Sequence, residues 1–350
     1  MGWNARWGER WRALNAPDTE PGRVLRHDGP QYLVETEGGP VAAVLPGRWR
    51  QDKGLDVPAV GDWVAVAPES GLARIEAVLP RATWIAREAA GSRTERQVVA
   101  ANVDYALVVT DGGADFNARR IERYVTALGA GGGVQPVIVV NKADQVADRA
   151  DVRRDLERAA PGVAAILLSA QSGEGVDELT PYLAVGATLA CVGSSGVGKS
   201  TLINRLLGHA SQATGEVREH DGRGRHTTTH RELLALPGGA VIIDTPGLRE
   251  LVPWFEPGTT PGGFADIAEL ARGCRYRDCR HVDEPGCAVL AAVQAGTLDA
   301  ERHANLQQLE REAAFQESRR NDTAARTRKR TERTLGRTVR DMDKRHPKRR

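Results

Sequence analysis

Two short runs of the chain combine residue types suited to binding a nucleoside triphosphate. Residues 193–200 read G-S-S-G-V-G-K-S, where glycines let the backbone curl until its N–H groups face a phosphate and Lys199 adds a positive charge. Residues 141–144 read N-K-A-D, and the Asp144 carboxylate accepts the two hydrogen bonds that guanine offers and adenine cannot. Either run alone is a weak signal, but together they predict a guanine-nucleotide site.

The order of the motifs along the chain is unusual. The base-reading run at 141–144 begins 52 residues before the phosphate loop at 193–200, whereas in most GTPases the base-reading motif comes last. Ser169-Ala170 lies between the two, and a T-T-T run at 227–229 and a D-T-P-G run at 244–247 follow. The set is complete but cyclically shifted, which predicts a circularly permuted GTPase domain.

The ligand groups follow apolar runs of strand length, so we expect them at the carboxyl ends of a doubly wound sheet. A backbone N–H of Ser169-Ala170 is expected to reach the guanine carbonyl oxygen. The predicted GTP-binding residues are Asn141, Lys142, Asp144, Ser169, Ala170, Gly193, Ser194, Ser195, Gly196, Val197, Gly198, Lys199, Ser200, Thr201, Asp244 and Gly247. The expected ligands of a Mg²⁺ ion bound with GTP are Ser200, Thr228 or Thr229, and, through water, Asp244.

Three of the four cysteines cluster with one histidine near the C-terminal end. The spacing Cys274-x₄-Cys279-x-His281-x₅-Cys287 offers three thiolates and an imidazole, the ligand set of one structural Zn²⁺ ion. The alternative is a group of reduced cysteines beside a surface histidine. Cys191 lies in the strand before the phosphate loop and is expected to be buried rather than to bind metal.

Composition and periodicity predict a multidomain protein with an N-terminal β-barrel, a central α/β P-loop GTPase domain and a C-terminal α-helical zinc-binding domain. The predicted segments are an amphipathic segment at 1–20, an OB-fold at 21–93, the circularly permuted GTPase domain at 98–256, the zinc-binding helical domain at 257–318 and a basic tail at 319–350. A basic loop at 47–53 is expected on the binding side of the barrel.

The N-terminal segment carries a stripe of apolar residues at helical spacing, formed by Trp3, Trp7, Trp11 and Leu14. This stripe either packs against the protein itself or, with interleaved arginines, docks on RNA or a partner.

Charge is distributed unevenly. Residues 319–350 carry 14 Lys and Arg against four Asp and Glu, which leaves 34 against 42 in residues 1–318. A basic tail of this kind is typical of a nucleic-acid-binding arm, although a solvated solubility tail is the alternative. No apolar run is long enough to cross a bilayer, and the N-terminus does not have the pattern of a signal peptide, so we expect a cytoplasmic protein.

These motifs together resemble those of the ribosome small-subunit-dependent GTPase A family, which consists of circularly permuted bacterial GTPases. The resemblance covers nearly the whole chain and rests on V-G-D-W at 60–63, the N-K-A-D run, the phosphate loop, G-R-H-T-T-T at 224–229, D-T-P-G and the Cys/His spacing. It implies hydrolysis of GTP to GDP, stimulated by the small ribosomal subunit during its late maturation. The implied partners are that subunit, its rRNA and other assembly factors, and we expect a monomer.

The residue that follows the D-T-P-G run differs from the one found in many signalling GTPases. Leu248 follows D-T-P-G where many signalling GTPases place a glutamine, and leucine cannot orient water. By resemblance to the family, His226 is the candidate catalytic residue, together with Lys199. A solvated loop histidine is the alternative for His226. Two other functions stay open: a zinc-containing RNA-binding protein with a vestigial nucleotide site, and a GTPase that regulates another machine.

Overall fold

The N-terminal strands close into a five-stranded barrel. The computed structural model describes residues 2–47, 49, 57–69, 71–88, 96–113, 116–129, 132–208, 231–244, 254–255 and 262–321. The barrel strands are β1 (Glu20–Asp28), β2 (Gln31–Thr36), β3 (Gly39–Val44), β4 (Trp63–Ala67) and β5 (Ala73–Val78). They pair in the order β1-β2-β3-β5-β4 and close through β4 on β1, with β3 and β5 parallel and the other pairs antiparallel. This is OB-fold topology, as predicted.

The N-terminal helix α1 (Ala5–Leu14) covers one end of the barrel. Asn4 caps it by accepting the Trp7 N–H at 3.3 Å. The Trp7 side chain is buried with its ring centroid 6.1 Å from that of Trp63, and Trp3 meets the same Trp63 ring edge-on at 4.8 Å. The tryptophan stripe therefore packs against the protein itself, which was one of the two interpretations of this segment.

A hairpin that the sequence did not predict connects the barrel to the next domain. Its strands are β6 (Trp84–Glu88) and β7 (Arg96–Ala101). The Ala101 N–H donates to the Val60 carbonyl at 2.9 Å, and Gly61 adopts φ +92° beside it. A Cβ atom at Gly61 would lie 2.3 Å from the Ala101 carbonyl oxygen, so glycine is required for this close approach.

The central domain is a mostly parallel sheet with the order β10-β9-β8-β11-β13-β12. The strands are β8 (Tyr105–Asp111), β9 (Gln135–Asn141), β10 (Ala165–Leu167), β11 (Thr188–Val192), β12 (Glu232–Ala235) and β13 (Val241–Asp244), and the helices are α2 (Ala118–Gly129), α3 (Arg149–Ala159) and α4 (Lys199–Leu207). Only β12 runs antiparallel to its neighbours, and it also pairs with barrel strand β1. Buried Val, Ile and Leu fill both faces, as expected where helices cover a parallel sheet.

Three helices form the C-terminal unit, namely α5 (Ala265–Ala271), α6 (Ala288–Gln294) and α7 (300–321). Phe255, Ile267, Val289 and Leu309 belong to its buried core. Helix α7 is held to α2 of the central domain through Arg302, whose Nη1 donates to Glu122 at 3.1 Å. None of the described helices is long and apolar enough to cross a membrane.

Candidate nucleotide site and metal centre

The phosphate loop leaves β11 and ends in the first turn of α4. A Cβ atom at position 193 would lie 2.1 Å from the carbonyl oxygen of Val109, so the loop crosses the end of β8 without room for a side chain. The Lys199 Nζ donates to the Gly193 carbonyl at 2.9 Å and to that of Ser194. The ammonium group thus lies over the loop at a helix N-terminus, where an anion is stabilised. The left-handed backbone positions in the loop are Gly193 (φ +142°), Gly196 (φ +81°) and Gly198 (φ +92°).

One side chain connects the base-reading run to the phosphate loop. The Asn141 Nδ2 donates to the Val197 carbonyl at 2.8 Å, and its Oδ1 accepts the Ala170 N–H at 2.9 Å. A Cβ atom at position 198 would lie 2.2 Å from the Asn141 Nδ2, so Gly198 is needed for this contact. Asn141 is 3% exposed, which shields these bonds from water. The structure thereby brings together three motifs that are far apart in the sequence.

Asp144 and Lys142 lie at the exposed edge of the same region. The backbone of Lys142 is left-handed (φ +58°) and starts a short 3₁₀ turn, Ala143–Gln145, in which Asp144 is exposed. The Lys142 Nζ lies 3.4 Å from Asp111 Oδ2 at the end of β8. This places the predicted guanine-reading carboxylate where solvent and ligand can reach it.

The run 169–174 forms a compact loop closed by its own hydrogen bonds. The Ser169 N–H donates to the Glu174 carbonyl at 2.8 Å, and the Ala170 N–H is occupied by Asn141. The Gly173 N–H returns to the Ser169 carbonyl at 2.8 Å. The two amides predicted to reach guanine, at Ser169 and Ala170, therefore both donate to protein acceptors in this structure. A guanine contact by either would have to share or displace those bonds.

Asp244 ends β13 beside the phosphate-loop strand, as predicted. Ala190 of β11 pairs with Ile243 of β13, so Asp244 and Cys191 lie at the next step of the register. Asp244 is 6% exposed, and Cys191 is buried. Desolvation and then the nearby Asp244 charge raise the pKa of the Cys191 thiol to about 12, against the opposing effect of Lys199. Cys191 is thus a neutral core residue, in accordance with the sequence.

Several predicted groups lie outside the described residues. They are His226, Thr228, Thr229, Gly247 and Leu248, most of the basic loop at 47–53, and residues 322–350 of the basic tail. Ser200 and Thr201 are described and occupy the first turn of α4, directly after Lys199.

The four predicted metal ligands meet in one place. Their ligand atoms all lie within 4.8 Å of one another. The Cys274 and Cys287 sulfurs are 3.9 Å apart, and the His281 Nδ1 lies 3.4 Å from Cys287 Sγ and 3.6 Å from Cys274 Sγ. Zn–S bonds of about 2.3 Å and Zn–N bonds of about 2.0–2.1 Å give tetrahedral edges of about 3.8 Å for S···S and about 3.5 Å for S···N. The spacing of these three ligands therefore fits three corners of a tetrahedral site, and the Cys279 sulfur lies within 4.8 Å of each of them.

The protonation of the cluster also fits a cation. Desolvation, reinforced by the neighbouring thiols, raises the pKa of Cys279 to about 11. Desolvation acts in the same direction on Cys274, but hydrogen bonds from the backbone N–H groups of Ala288 and Val289 outweigh it and lower the pKa of this thiol. Without a cation the three thiols do not all ionise. A dication would reverse this by stabilising every thiolate.

Sequence reasoning missed two arginines that hold the base-side loops. The Arg205 Nε on α4 donates to the Ala170 carbonyl at 3.0 Å, and its Nη2 donates to that of Gln171. The Arg149 Nη2 donates to the Ala143 carbonyl at 3.1 Å and to Glu174 Oε1 at 2.7 Å. Both are single arginines outside any motif, so only tertiary contacts reveal them.

Comparison with known proteins agrees with this arrangement. The model of the RsgA GTPase family matches residues 78–254. Two curated relatives, both named "Small ribosomal subunit biogenesis GTPase RsgA", are from Xanthomonas axonopodis pv. citri and Opitutus terrae. The first is 46% identical, covering 87% of this chain and 84% of the relative, and the second is 44% identical, covering 90% and 89%. The chain belongs to the RsgA GTPase family. It is accordingly a GTP hydrolase.

Solved structures support the fold of this RsgA GTPase family member. YjeQ from Thermotoga maritima aligns with a TM-score of 0.62 and 28% identity, over 85% of this chain and 99% of that protein. YloQ, described as a circularly permuted GTPase, aligns with a TM-score of 0.58 and 23% identity, over 86% and 97%. The predicted permuted motif order is thus matched by a permuted fold.

Proposed function

We propose that this GTPase acts in biogenesis of the small ribosomal subunit, binds that subunit and its rRNA, and hydrolyses GTP faster when bound. The observation that supports this most directly is the 46% identity, over 87% of the chain, to a protein named for that process. The OB-fold barrel supports it independently, because this fold is a frequent oligonucleotide binder. We also propose that other assembly factors take part.

For the nucleotide, we infer that the phosphate loop holds the phosphates and that Asp144 reads guanine. Lys199 supplies positive charge next to the β/γ oxygens, and backbone N–H groups of the loop and of α4 supply fixed dipoles. Ser200 and Asp244, with Thr228 or Thr229, would hold Mg²⁺, which neutralises charge on the phosphates when bound. Asn141 positions the two halves of the site through its bonds to Val197 and Ala170.

For the metal, we propose one structural Zn²⁺ ion at Cys274, Cys279, His281 and Cys287. The spacing of 3.4 to 3.9 Å among the Cys274, His281 and Cys287 ligand atoms and the sulfur-rich donor set favour zinc over magnesium or calcium, which prefer oxygen. We also propose that the protein acts as a monomer. We propose a cytoplasmic location, because the proposed partner is the small ribosomal subunit.

Cosedimentation with purified small and large ribosomal subunits tests the proposal. We expect the full chain to pellet with small subunits in the presence of a non-hydrolysable GTP analogue, to release in GDP, and to hydrolyse GTP faster with small subunits than without. Subunit binding that ignores the nucleotide would instead indicate an RNA-binding protein with a vestigial site. Hydrolysis of GTP without binding to either ribosomal subunit would indicate a GTPase that regulates a different macromolecular assembly.

Lys199→Ala is the matched variant for the hydrolysis assay. We expect it to abolish hydrolysis and to leave the circular dichroism spectrum unchanged, because the Lys199 ammonium contacts loop carbonyls at the surface of the site rather than the core. Undiminished subunit-stimulated turnover by this variant would contradict the site assignment.

For the chemical step, we propose that His226 positions the attacking water or the transition state, because leucine at 248 cannot do so. His226→Ala is then expected to lower the stimulated kcat by about 10²–10³, the effect of losing one positioned group, with little change in GTP affinity. His220→Ala and His230→Ala are the controls from the same run of sequence. A larger effect from either control would show that the wrong histidine has been chosen, and full turnover by His226→Ala would place the catalytic group elsewhere.

A further inference from the structure

The backbone around the predicted metal ligand His281 is held by one carboxylate. Glu284 Oε1 accepts the Arg280 N–H at 2.9 Å, and its Oε2 accepts the N–H groups of Val282 at 2.9 Å and Asp283 at 3.2 Å. The carboxylate thus binds the residues on both sides of His281, whose own backbone is left-handed with φ +58°. A non-glycine residue keeps this conformation only where its surroundings hold it.

The carbonyl group of His281 is bound from outside this loop. Gln307 on α7 donates from its Nε2 to that oxygen at 2.8 Å, and the same amide nitrogen lies 3.3 Å from His303 Nε2. The ring nitrogen of His281 that faces Cys274 and Cys287 is Nδ1. Because Nδ1 is bonded to the ring carbon next to Cβ, it moves with the backbone of its own residue. The position of this ligand atom is therefore tied to the backbone that Gln307 binds.

Helix α7 lies between the metal ligands and the GTPase domain. The Arg302 Nη1 donates to the Glu122 carboxylate on α2, and the Asn305 Nδ2 donates to the other oxygen of the same carboxylate. Gln307 comes two positions after Asn305, which at 3.6 residues per turn places it about 160° around the helix axis. One side of α7 is thus held by α2, and the nearly opposite side holds His281.

The helix can transmit a displacement from one contact to the other. Leu306 and Leu309 of α7 belong to the same buried core cluster as the metal ligand Cys287. A helix moves as a rigid element because its backbone hydrogen bonds fix the relative positions of its residues. Movement of α7 away from α2 would therefore also displace Gln307 from the His281 carbonyl.

We propose that Gln307 is a positioning residue for the metal ligand His281, so that the affinity for the ion depends on docking of α7 on the GTPase domain through Glu122. This inference rests on the proposed zinc site. Gln307 itself is not one of the four ligands. Because linkage between two binding equilibria is reciprocal, binding of the ion also strengthens the docking of α7.

The dissociation constant for Zn²⁺ tests this link. It is measured by equilibrium competition with a chromogenic chelator for the full chain and for the variants Gln307→Leu and Glu122→Gln, with circular dichroism to check the fold. Leucine has a similar size but cannot donate to the His281 carbonyl. Glu122→Gln weakens the anchor of α7 and leaves every residue of α7 and of the metal loop unchanged. The matched control is Gln308→Leu, which alters the next residue of α7, an exposed one.

We expect Gln307→Leu to raise the dissociation constant for Zn²⁺ by roughly 10- to 100-fold, the usual effect of losing a group that orients a metal-binding histidine. Glu122→Gln is expected to raise it by roughly 2- to 5-fold, because a neutral amide holds Arg302 less strongly than a carboxylate does. Gln308→Leu is expected to match the unaltered protein. With Co²⁺ bound instead of Zn²⁺, Gln307→Leu is expected to shift the visible absorption bands, which report the ligand geometry and not the stability of the fold.

Three outcomes would overturn the inference. An unchanged dissociation constant in Gln307→Leu would mean that α7 does not position His281. Weaker binding with an unchanged Co²⁺ spectrum would mean that Gln307 supports the fold as a whole. Weakening by Gln307→Leu but not by Glu122→Gln would mean that the metal centre does not respond to docking of α7. Failure of the proposed zinc site is separate, because the unaltered protein would then bind no zinc.

Discussion

Replacing Arg302 by methionine tests how the C-terminal helices are held on the GTPase domain. Arg302 and Glu122 are each only 4% exposed in their side chains, and their contact is 3.1 Å. The same guanidinium donates to Asp266 Oδ1 and Oδ2 at 2.7 and 2.8 Å and to the Ala159 carbonyl at 2.7 Å. Methionine fills similar volume but removes the guanidinium donor from all these acceptors, and Glu122 then keeps only the bond from Asn305 among those described.

The magnitude follows from the loss of one partner of a buried ion pair. Breaking such a pair costs about 3–5 kcal/mol because the remaining charge stays buried. We therefore expect Arg302→Met to lower the free energy of unfolding by about 3–5 kcal/mol, measured by urea denaturation with circular dichroism. Glu122→Gln in the Arg302→Met background is expected to restore part of the loss, since it removes the orphaned charge. The control Arg311→Met, on the exposed face of α7, is expected to change stability by less than about 0.5 kcal/mol.

The loss is expected to depend on pH with a defined sign. Burial raises the pKa of Glu122, and the bonds from Asn305 and Arg302 offset this only in part. The stabilising contribution of a group with a raised pKa is present at low pH and is lost as pH rises through its folded-state pKa. Without Arg302 the pKa of Glu122 rises further. The variant therefore loses more stability than the unaltered protein at pH values above that pKa.

Asp266 adds a loss of stability that is nearly the same at about pH 5 and about pH 8, because both values lie above the ordinary pKa of aspartate, about 3.9. Burial raises the pKa of Asp266, but the hydrogen bond and charge of Arg302 outweigh this and lower it, so its contribution is present above its unfolded-state pKa. The variant lacks that contribution. Because of the raised pKa of Glu122, the loss of stability in Arg302→Met should be larger at about pH 8 than at about pH 5. A loss below about 1 kcal/mol at pH 8, or one that is equal at both pH values, would refute the reasoning.

Two further predictions concern the cysteines. Cys279→Ser, or removal of the ion by a chelator, should increase hydrogen exchange in residues 274–287 while GDP still binds. The reason is that a structural zinc contributes about 10 kcal/mol or more to the stability of a small folded unit. Metal analysis that finds no zinc in freshly purified protein would contradict this prediction. Cys191 should resist alkylation by iodoacetamide at about pH 8 in the native protein and react after unfolding, because burial raises its pKa to about 12. Rapid labelling of Cys191 in the native protein, located by mass spectrometry, would contradict this prediction.

Motif chemistry was readable from the sequence because it depends on local backbone geometry and residue type. A Cβ atom at Gly193 would clash with the Val109 carbonyl, and one at Gly198 would clash with Asn141, so glycine is required at both positions. Such positions are visible in the sequence itself as a glycine-rich run. The barrel strands were predicted for a similar reason, since alternation and turn residues are local signals. The cysteine and histidine spacing likewise anticipated the observed ligand cluster.

Only the tertiary structure decided how the hairpin β6–β7 contacts the barrel, through the Ala101–Val60 hydrogen bond, and which acceptors Arg302 and Arg205 bind. Each depends on partners far away in sequence, 180 residues for Arg302 and Glu122 and 35 for Arg205 and Ala170, and no local pattern marks such a pairing. The bonds of the base-side loop are a further case, since the Ser169 and Ala170 amides, whose contact with guanine stays a prediction, donate to Glu174 and Asn141 in this structure. Residue types and spacing therefore determined which chemistry this chain can perform, whereas long-range hydrogen bonds, which require the folded chain to bring their partners together, determined which groups are available to perform it.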